Sequence, residues 1–456
     1  MQDLEELVVL GREALDLCPQ GHPHRSGLLN SLALYLSSRY KQLGEMQDLD
    51  EAIALVREAV SLCPQGHPDR STSLSNLAIH VFTRYDQLGQ IQDLDEAIVL
   101  DREALHHQPE GHPGRSISLN NLAVHLCTRY NRSGTMQDLD ESIVLHREEL
   151  CLHLQGHPSR STSLNNLAAD LSTRYCQLGR VEDLNEAIIL LRGALDLCPQ
   201  EHPDRSTALT NIQVQLSSRY KQLGAVQDLD EAIILGREAL GLLPQGHRDQ
   251  FMPLNNLAVG LYTRHKHLSV GSKQDLDEAI ILAREALGLL PPEHFHRCMS
   301  LNNLADYLFA LYTQPGAQAN ENLDEAISLG REALDHFSHG HPQRSEALNS
   351  LACYLSARYE RLAQIQDLNE AIVVGREAIS LRPQGHPDRS ESLENLARYL
   401  RSWFTRSGQQ KDKDELFSLY AQLVHVTQSL DSSLARVGSG RDAYMCRAYV
   451  HVCYVV

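Results

Sequence analysis

Between residues 48 and 63 apolar residues recur at Leu49, Ala52, Ile53, Val56, Ala59, Val60 and Cys63. That is the i, i+3, i+4, i+7 spacing of a single helix face. Residues 70 to 88 repeat the pattern with Leu74, Leu77, Ala78, Val81 and Tyr85. Pro64, Gly66 and His67-Pro68 stand between the two runs, where a helix must stop. The spacing predicts one helix from Asp48 to about Leu62 and another from just after His67 to about Leu88-Gly89. Asp48 is placed to cap the first, with Glu51 at capping-box distance and Asp50 favoured near the positive dipole end. Pro68 suits the first position of the second helix, which at 1.5 Å per residue is about 27 Å long. Alternation of period 2 is absent, so no strands are expected in this pattern.

The pair of helices recurs. Asp48-Leu49-Asp50-Glu51 returns from Asp93, Asp138, Asp228 and Asp275, with variants opening at Asp183, Asn322, Asp367 and Asp412. Counted from Asp3, the steps are 45 residues five times, then 47, 47, 45 and 45, with small insertions near Gly271 and Gly316. His-Pro-x-Arg-Ser keeps the same phase at His22, His67, His112, His157, His202, His341 and His386; His247 and His294 hold it without the proline. Neither helix can hide its apolar face alone, so consecutive hairpins must stack. Alanines at fixed phases, such as Ala78, Ala123 and Ala168 in one helix and Ala52, Ala97 and Ala187 in the other, allow close approach. The expected architecture is all-α, a solenoid of about nine hairpins over residues 1–430, with a non-repeating tail at 431–456. Within that tail, Tyr444 to Tyr454 reads as strand-like, in keeping with a truncated further domain, a docking tail or a disordered end.

Composition narrows the function. With 41 Lys plus Arg against 59 Asp plus Glu, the 456-residue chain carries a formal charge of −18, which argues against nucleic acid or an anionic membrane as partner. No apolar run approaches the roughly 18 residues that span a bilayer, and the acidic start Met1-Gln2-Asp3 is no secretory signal, so the expected compartment is cytoplasmic. Ten cysteines without a C-x-x-C pair fit reduced thiols rather than a disulfide framework or zinc site.

The run His112-Pro113-x-Arg115-Ser116-x-Ser118-Leu119-Asn120-Asn121-Leu122-Ala123, followed by Asp138-Leu139-Asp140-Glu141, resembles the tetratricopeptide repeat (TPR), and most closely its kinesin-light-chain-type subclass. Ala97, Ala104 and Pro109 match the alanine, alanine and proline of that family's second helix; the first helix is longer than in the usual 34-residue unit, extended through Arg84-Tyr85 to Gly89. The resemblance implies a right-handed superhelix whose concave groove holds an extended peptide. It also links the chain to fungal TPR arrays that often precede CHAT protease domains. The chain opens on a helix of the second type, so a partner helix before it is expected to be missing or the array truncated.

Four sets of residues invite a functional reading. The histidine row is read as turn packing rather than metal, because equivalent positions in stacked hairpins lie about 8–10 Å apart while a metal needs ligands within about 2.1 Å. The helix arginines (Arg57, Arg102, Arg147 and their equivalents) and loop arginines (Arg25, Arg70, Arg115 and theirs) either pair with acids and helix-end carbonyls in neighbouring repeats or form an anion-binding row. Asn120, Asn165, Asn255, Asn302 and Asn349 share one helical phase. Asparagine is a poor helix former, so these amides serve either the adjacent helix or, by the TPR resemblance, a peptide backbone in the groove. One turn on come Val124 and Val259, with Asp306, Cys353 and Arg398 replacing them later; Tyr307 and Tyr354 mark a different ligand preference in the last units. The lysines and asparagines of carboxylate-clamping TPR modules are absent at these places.

No nucleophile elbow, Walker loop, H-E-x-x-H or caspase-type Gln-Ala-Cys-x-Gly stands in this sequence. The sequence reading is therefore a non-enzymatic protein-interaction scaffold with no cofactor and no metal. Its groove residues would be Asn120, Asn165, Asn255, Asn302, Asn349, Val124, Val259, Tyr307 and Tyr354. Two competing readings are a sensor region detached from an effector domain, and self-assembly through the apolar face of the first helix (Leu4, Leu7, Val8, Leu15).

Overall fold

A computed structural model describes residues 2–434 apart from 201, 203–204, 269–271, 295, 315, 317–318, 338–340, 342, 385 and 387. The strand-like segment expected at Tyr444 to Tyr454 lies outside the described residues. Every regular element among those described is helical. The chain divides into two compact units at Asp228/Leu229. The first holds α1 (Gln2–Asp16), α2 (Arg25–Leu43), α3 (Met46–Leu62), α4 (Arg70–Leu88), α5 (Ile91–His106), α6 (Arg115–Ser133), α7 (Met136–Leu152), α8 (Arg160–Leu178), α9 (Val181–Asp196) and α10 (Arg205–Leu223). The division falls inside α11 (Val226–Gly241). The second unit continues with α12 (Phe251–Leu268), α13 (Ser272–Gly288), α14 (Arg297–Thr313), α15 (Asn320–His336), α16 (Arg344–Leu362), α17 (Ile365–Ser380), α18 (Arg389–Ser407) and α19 (Gln410–Leu434). α12, which is preceded by a short 3-10 turn at Arg248–Gln250, and α2, α4 and their even-numbered equivalents are the first-type helices; the odd-numbered helices carry the Asp-Leu-Asp-Glu tetrad.

Two helix starts differ from the sequence expectation. α4 begins at Arg70, so Pro68 sits in the turn before it and not at its first position. There His67 N–H donates to Pro64 and Arg70 N–H to His67, while His67 Nδ1 accepts from Asp69 N–H at 3.1 Å. α3 begins at Met46 behind Glu45, and no side chain caps it. Asp48 is the third residue of the helix, in its first turn, with its carboxylate turned away to Arg39, so it is an ion-pair acceptor and not a cap. Helix ends follow the expected chemistry. Gly44, Gly89, Gly134 and Gly179 turn left-handed, and each donates its N–H to a tyrosine carbonyl four residues back at 2.7 Å. In one repeat Ala363 occupies this place at φ 56°.

The core passes from helix to helix. One cluster joins Val8 of α1, Leu32 and Leu36 of α2, Leu49 and Ile53 of α3, Leu77 and Val81 of α4 and Ala97 of α5. Another runs from Tyr85 and Leu94 through Leu119 and Leu122 to Leu145. Cutting a leucine such as Leu122 to alanine removes contacts to both sides and costs about 2–5 kcal/mol. The alanine rows are buried as expected, Ala52, Ala97, Ala123 and Ala187 completely. α1 spends its apolar face on α2, so the open face expected at Leu4, Leu7, Val8 and Leu15 is reduced: Val8 is buried, Leu15 packs on the core and Leu7 remains exposed.

One contact between each second-type helix and the first-type helix after it is filled differently from repeat to repeat. Gly330 faces Tyr354 and Gly375 faces Tyr399; a Cβ at Gly330 would stand 3.5 Å from the Tyr354 ring. At the same place Asp101 meets His125, and His146 meets Asp170. His80 occupies this phase in α4, 1% exposed, with neither ring nitrogen hydrogen-bonded. Burial pushes its pKa down to about 4.

Two predictions follow from these positions. Ala363→Gly relieves a left-handed alanine and should stabilise the chain by about 1 kcal/mol, read as a higher urea midpoint. A histidine whose folded pKa lies below its unfolded value contributes stability that is fully present above the unfolded pKa and fades as pH falls toward the folded one. His80→Leu should therefore flatten the loss of stability between pH 6.5 and 4 relative to the parent chain, measured by urea unfolding across that range. Parallel curves for the two proteins would refute it.

Candidate binding face of the first-type helices

Arginines set the frame. Arg129 of α6 donates from Nε and Nη2 to both oxygens of Asp138 at 2.8 Å, and from Nη1 to Asp95 at 3.0 Å. One side chain thus joins α5 and α7, the two second-type helices that flank α6. Arg174 does the same with Asp183 and Asp140, and Arg358 with Asp367 and Asp324. The helix arginines pair outward: Arg102 with Glu141 and Arg147 with Glu186 in the next second-type helix. The loop arginines clamp the repeat before and the repeat after. Arg115 donates to the Gln108 carbonyl and to Glu148, and Arg70 to the Cys63 carbonyl and Glu103. Pairing within the frame is thus the observed role of these guanidiniums, in place of an anion-binding row. The Arg129 series was missed in the sequence reading, although its period is the same as that of the tetrad it serves.

The histidine row is used in the turns. Nδ1 of His22, His67, His112, His157, His341 and His386 accepts the backbone N–H two residues on, at 3.1–3.2 Å. Among the described residues no group of three His, Cys, Asp or Glu side chains is placed to hold a metal, and no helix is long and apolar enough to cross a membrane. Ser142, His146 and Asp170 do meet, yet the carboxylate is the hub and all three are buried. The Ser142 hydroxyl is shared between Asp170 and the Ala123 carbonyl.

Successive first-type helices touch within each unit, α2 with α4 and α4 with α6, then α12 with α14, α14 with α16 and α16 with α18. Their shared face carries the two asparagine phases, which interlock. Asn76 Nδ2 donates to Asn30 Oδ1 at 3.0 Å and Asn166 to Asn120 at 2.9 Å; Asn395 reaches Asn349 at 3.3 Å and Asn303 reaches Asn255 at 3.5 Å. Asn165 back-bonds to the Ser161 carbonyl. So the first-phase asparagines already serve the neighbouring repeat. Asn120, Asn165 and Asn255 are half-buried, whereas Asn302 and Asn349 are buried. Val124 and Val259 are half-buried beside them, and at the same phase Leu34 and Val214 are exposed.

Tyr307 and Tyr354 depart from the expected groove wall. They are 2% and 1% exposed, fully enclosed between helices. Tyr354 fits because residue 330 is glycine, and its hydroxyl donates to Asp306. The rings left half-exposed near them are Tyr262, 4.6 Å from Tyr307 between centroids, and Phe309, 4.9 Å from Tyr354. Burial pushes the Asp306 carboxyl up to about 6 against the opposing hydrogen bond from Tyr354.

No family model matches the chain, and no curated protein does. Among solved structures, a Signal Transduction ATPase with Numerous Domains from Pyrococcus horikoshii, which carries a tetratricopeptide repeat sensor, superposes on 91% of this chain and 55% of its own, at TM-score 0.55 and 13% identity. The chain has the tetratricopeptide-repeat fold. Looser neighbours are a Podosopora anserina array of nearly identical TPR-like repeats, designated kinesin light chain, at 20% identity and TM-score 0.35 over 49% of this chain and 98% of that one, and human IFIT1, a dimer with PPP-AAAA, at 13% identity and TM-score 0.47 over 95% of each chain. In this TPR frame the tetrad and the arginines are the inter-repeat cement, and the face of the first-type helices is the surface whose residues vary.

The frame can be tested through two arginines. Arg129→Met leaves the buried Asp138 carboxylate without its fork and should cost about 3 kcal/mol. Arg102→Met breaks an exposed pair with Glu141 and should cost less than about 1 kcal/mol. Urea unfolding of the two variants side by side distinguishes them; equal losses would contradict the ranking.

Proposed function

We propose that this TPR chain is a non-catalytic interaction scaffold that receives an extended peptide segment of another protein on the face of its first-type helices. The observation that carries the reading is the aliphatic phase on that face. Leu34, Ile79, Val124, Ala169 and Val214 occupy one position in consecutive repeats of the first unit, partly or largely exposed, next to the asparagine amides. Ile117, one turn before Asn121 on the same face, is also exposed. Apolar side chains held at a fixed pitch beside amides suit a strand-like ligand, which offers alternate side chains and free backbone groups.

The asparagine role is narrower than a fully open amide row. Each Oδ1 that accepts from the next repeat keeps a second lone pair, and each Nδ2 has two protons. Asn120 and Asn255 therefore keep capacity for a ligand while holding the ladder. Asn302 and Asn349 lie deeper and act as floor, and Tyr307 and Tyr354 support that floor from behind.

Selection of random 12-residue peptides displayed on phage tests the reading. The parent chain should enrich a family of peptides, and the pair Ile117→Asp with Val124→Asp should weaken their binding at least tenfold, about 1.4 kcal/mol. Asn120, Asn165 and Asn255 changed together to alanine should weaken it further. Both variants are checked for helicity by circular dichroism. Unchanged affinity in folded variants, or no enrichment by the parent chain, would reject the groove mechanism.

A further inference from the structure

The aliphatic phase of the first-type helices ends abruptly at Asp306 in α14, where Val259 and Val214 stood before. A carboxylate here is costly, since its surroundings are rings: Tyr307 beside it, Tyr262 from α12, and Tyr354 from α16 with Phe309 tilted against it. Its hydrogen-bond partners are all neutral. Tyr354 donates to Oδ1, Ser350 also reaches it, and Asn302 Nδ2 approaches Oδ2 at 3.4 Å. The charged groups facing it are Lys266 of α12 and Glu346 of α16, both exposed, and among the described residues no basic side chain forms an ion pair with Asp306.

A second observation points the same way. Asn302 is 8% exposed, and its Oδ1 has no hydrogen-bond partner. The contact of its Nδ2 with Asp306 fixes the amide orientation, so the oxygen is the atom left over. A buried acceptor without a donor is uncommon in a folded protein and calls for an explanation. Here an unmet acceptor and an unpaired carboxylate lie on adjacent turns of one helix, with two half-exposed aromatic rings beside them. Acceptors in such number call for a donor that also carries positive charge, and aromatic faces favour the same ligand.

We propose that Asp306, with Asn302, Tyr262 and Phe309, forms a subsite for a cationic side chain, lysine or arginine, of the bound peptide. This deepens the peptide reading and rests on it for the source of the cation. The guanidinium or ammonium would donate to Asp306 Oδ2 and Asn302 Oδ1, and its aliphatic stem would lie on the Tyr262 and Phe309 rings. Glu346, Glu391 and Glu394, exposed on the first-type helices α16 and α18, add negative potential on the approach.

The test uses the full chain and two small probes, N-acetylarginine amide and its uncharged citrulline counterpart. The side-chain carboxyl carbons of aspartate are labelled with carbon-13, and the Asp306 resonance is identified by its loss in Asp306→Asn. The arginine probe should lower the titration midpoint of Asp306 from about 6, and the citrulline probe should leave it in place. Phe309→Leu, which keeps the carboxylate, should weaken the arginine effect severalfold. Equal midpoints with both probes would overturn the subsite even if phage peptides bind elsewhere on the face. A shifted midpoint with arginine alone supports it, including where phage selection yields nothing and the peptide reading itself fails.

Discussion

The forked arginine near the end of seven of the nine first-type helices is the contact on which the array depends. Arg129 reaches forward to Asp138 and backward to Asp95, so one planar cation fixes the spacing of two second-type helices that touch each other little. A hydrophobic stack tolerates sliding, because apolar surface has no direction. A bidentate guanidinium–carboxylate pair does not, since both oxygens must be met in one plane. Desolvation removes much of the net stabilisation from such pairs. Their larger effect is geometric: they set the pitch at which leucines and alanines then pack.

Two repeats lack the fork, and they meet its loss differently. In α18 Trp403 stands at the arginine's place, and the buried Asp412 accepts a hydrogen bond from Ser407 instead. Leu311 stands where Arg264 and Arg358 stand in the repeats on either side, and the acid it would face is Asn322 instead of aspartate. A buried carboxylate left without its guanidinium would be strongly destabilising, and its replacement by a neutral amide removes that cost. The same logic appears where residues interlock across the hairpins. Glycine accompanies tyrosine at 330 and 354 and at 375 and 399, and aspartate accompanies histidine in both orders, at 101 with 125 and at 146 with 170. The glycine–tyrosine, aspartate–histidine and histidine–aspartate kinds of interface are mismatched to one another, which disfavours some of the wrong registers in a chain of near-identical units.

Much of this was legible from the period alone. Repetition at 45 residues, the two helical stripes and the alanine rows located the helices to within a few residues and assigned the core. The tetrad was recognised but its role was misread, because a capping box and a cross-repeat acceptor share the residues Asp and Glu. Only coordinates separate them, by showing that Asp48 faces Arg39. The candidate site was less legible for a similar reason. Periodicity reports that Asn120, Asn302 and Tyr354 recur on one face, but not how far each is sunk below the surface. Tyr354 is enclosed because of a glycine 24 residues earlier, a signal present in the sequence that becomes readable only once those two helices are known to touch.

The chain carries −18 overall, and the tetrads already hold more acids than the arginines that pair with them. Further acids stand outside that frame, with Asp306, Glu346, Glu391 and Glu394 on α14, α16 and α18 among them. Acids that neutralise a neighbouring repeat are held by the requirements of stacking, whereas these four are not. A field from unpaired acids draws cations from solution and speeds the encounter with a basic ligand. In the proposed subsite the aromatic rings near Asp306 would convert a diffuse attraction into a defined position, because an acid there stands among low-dielectric walls where a single charge pair has appreciable strength.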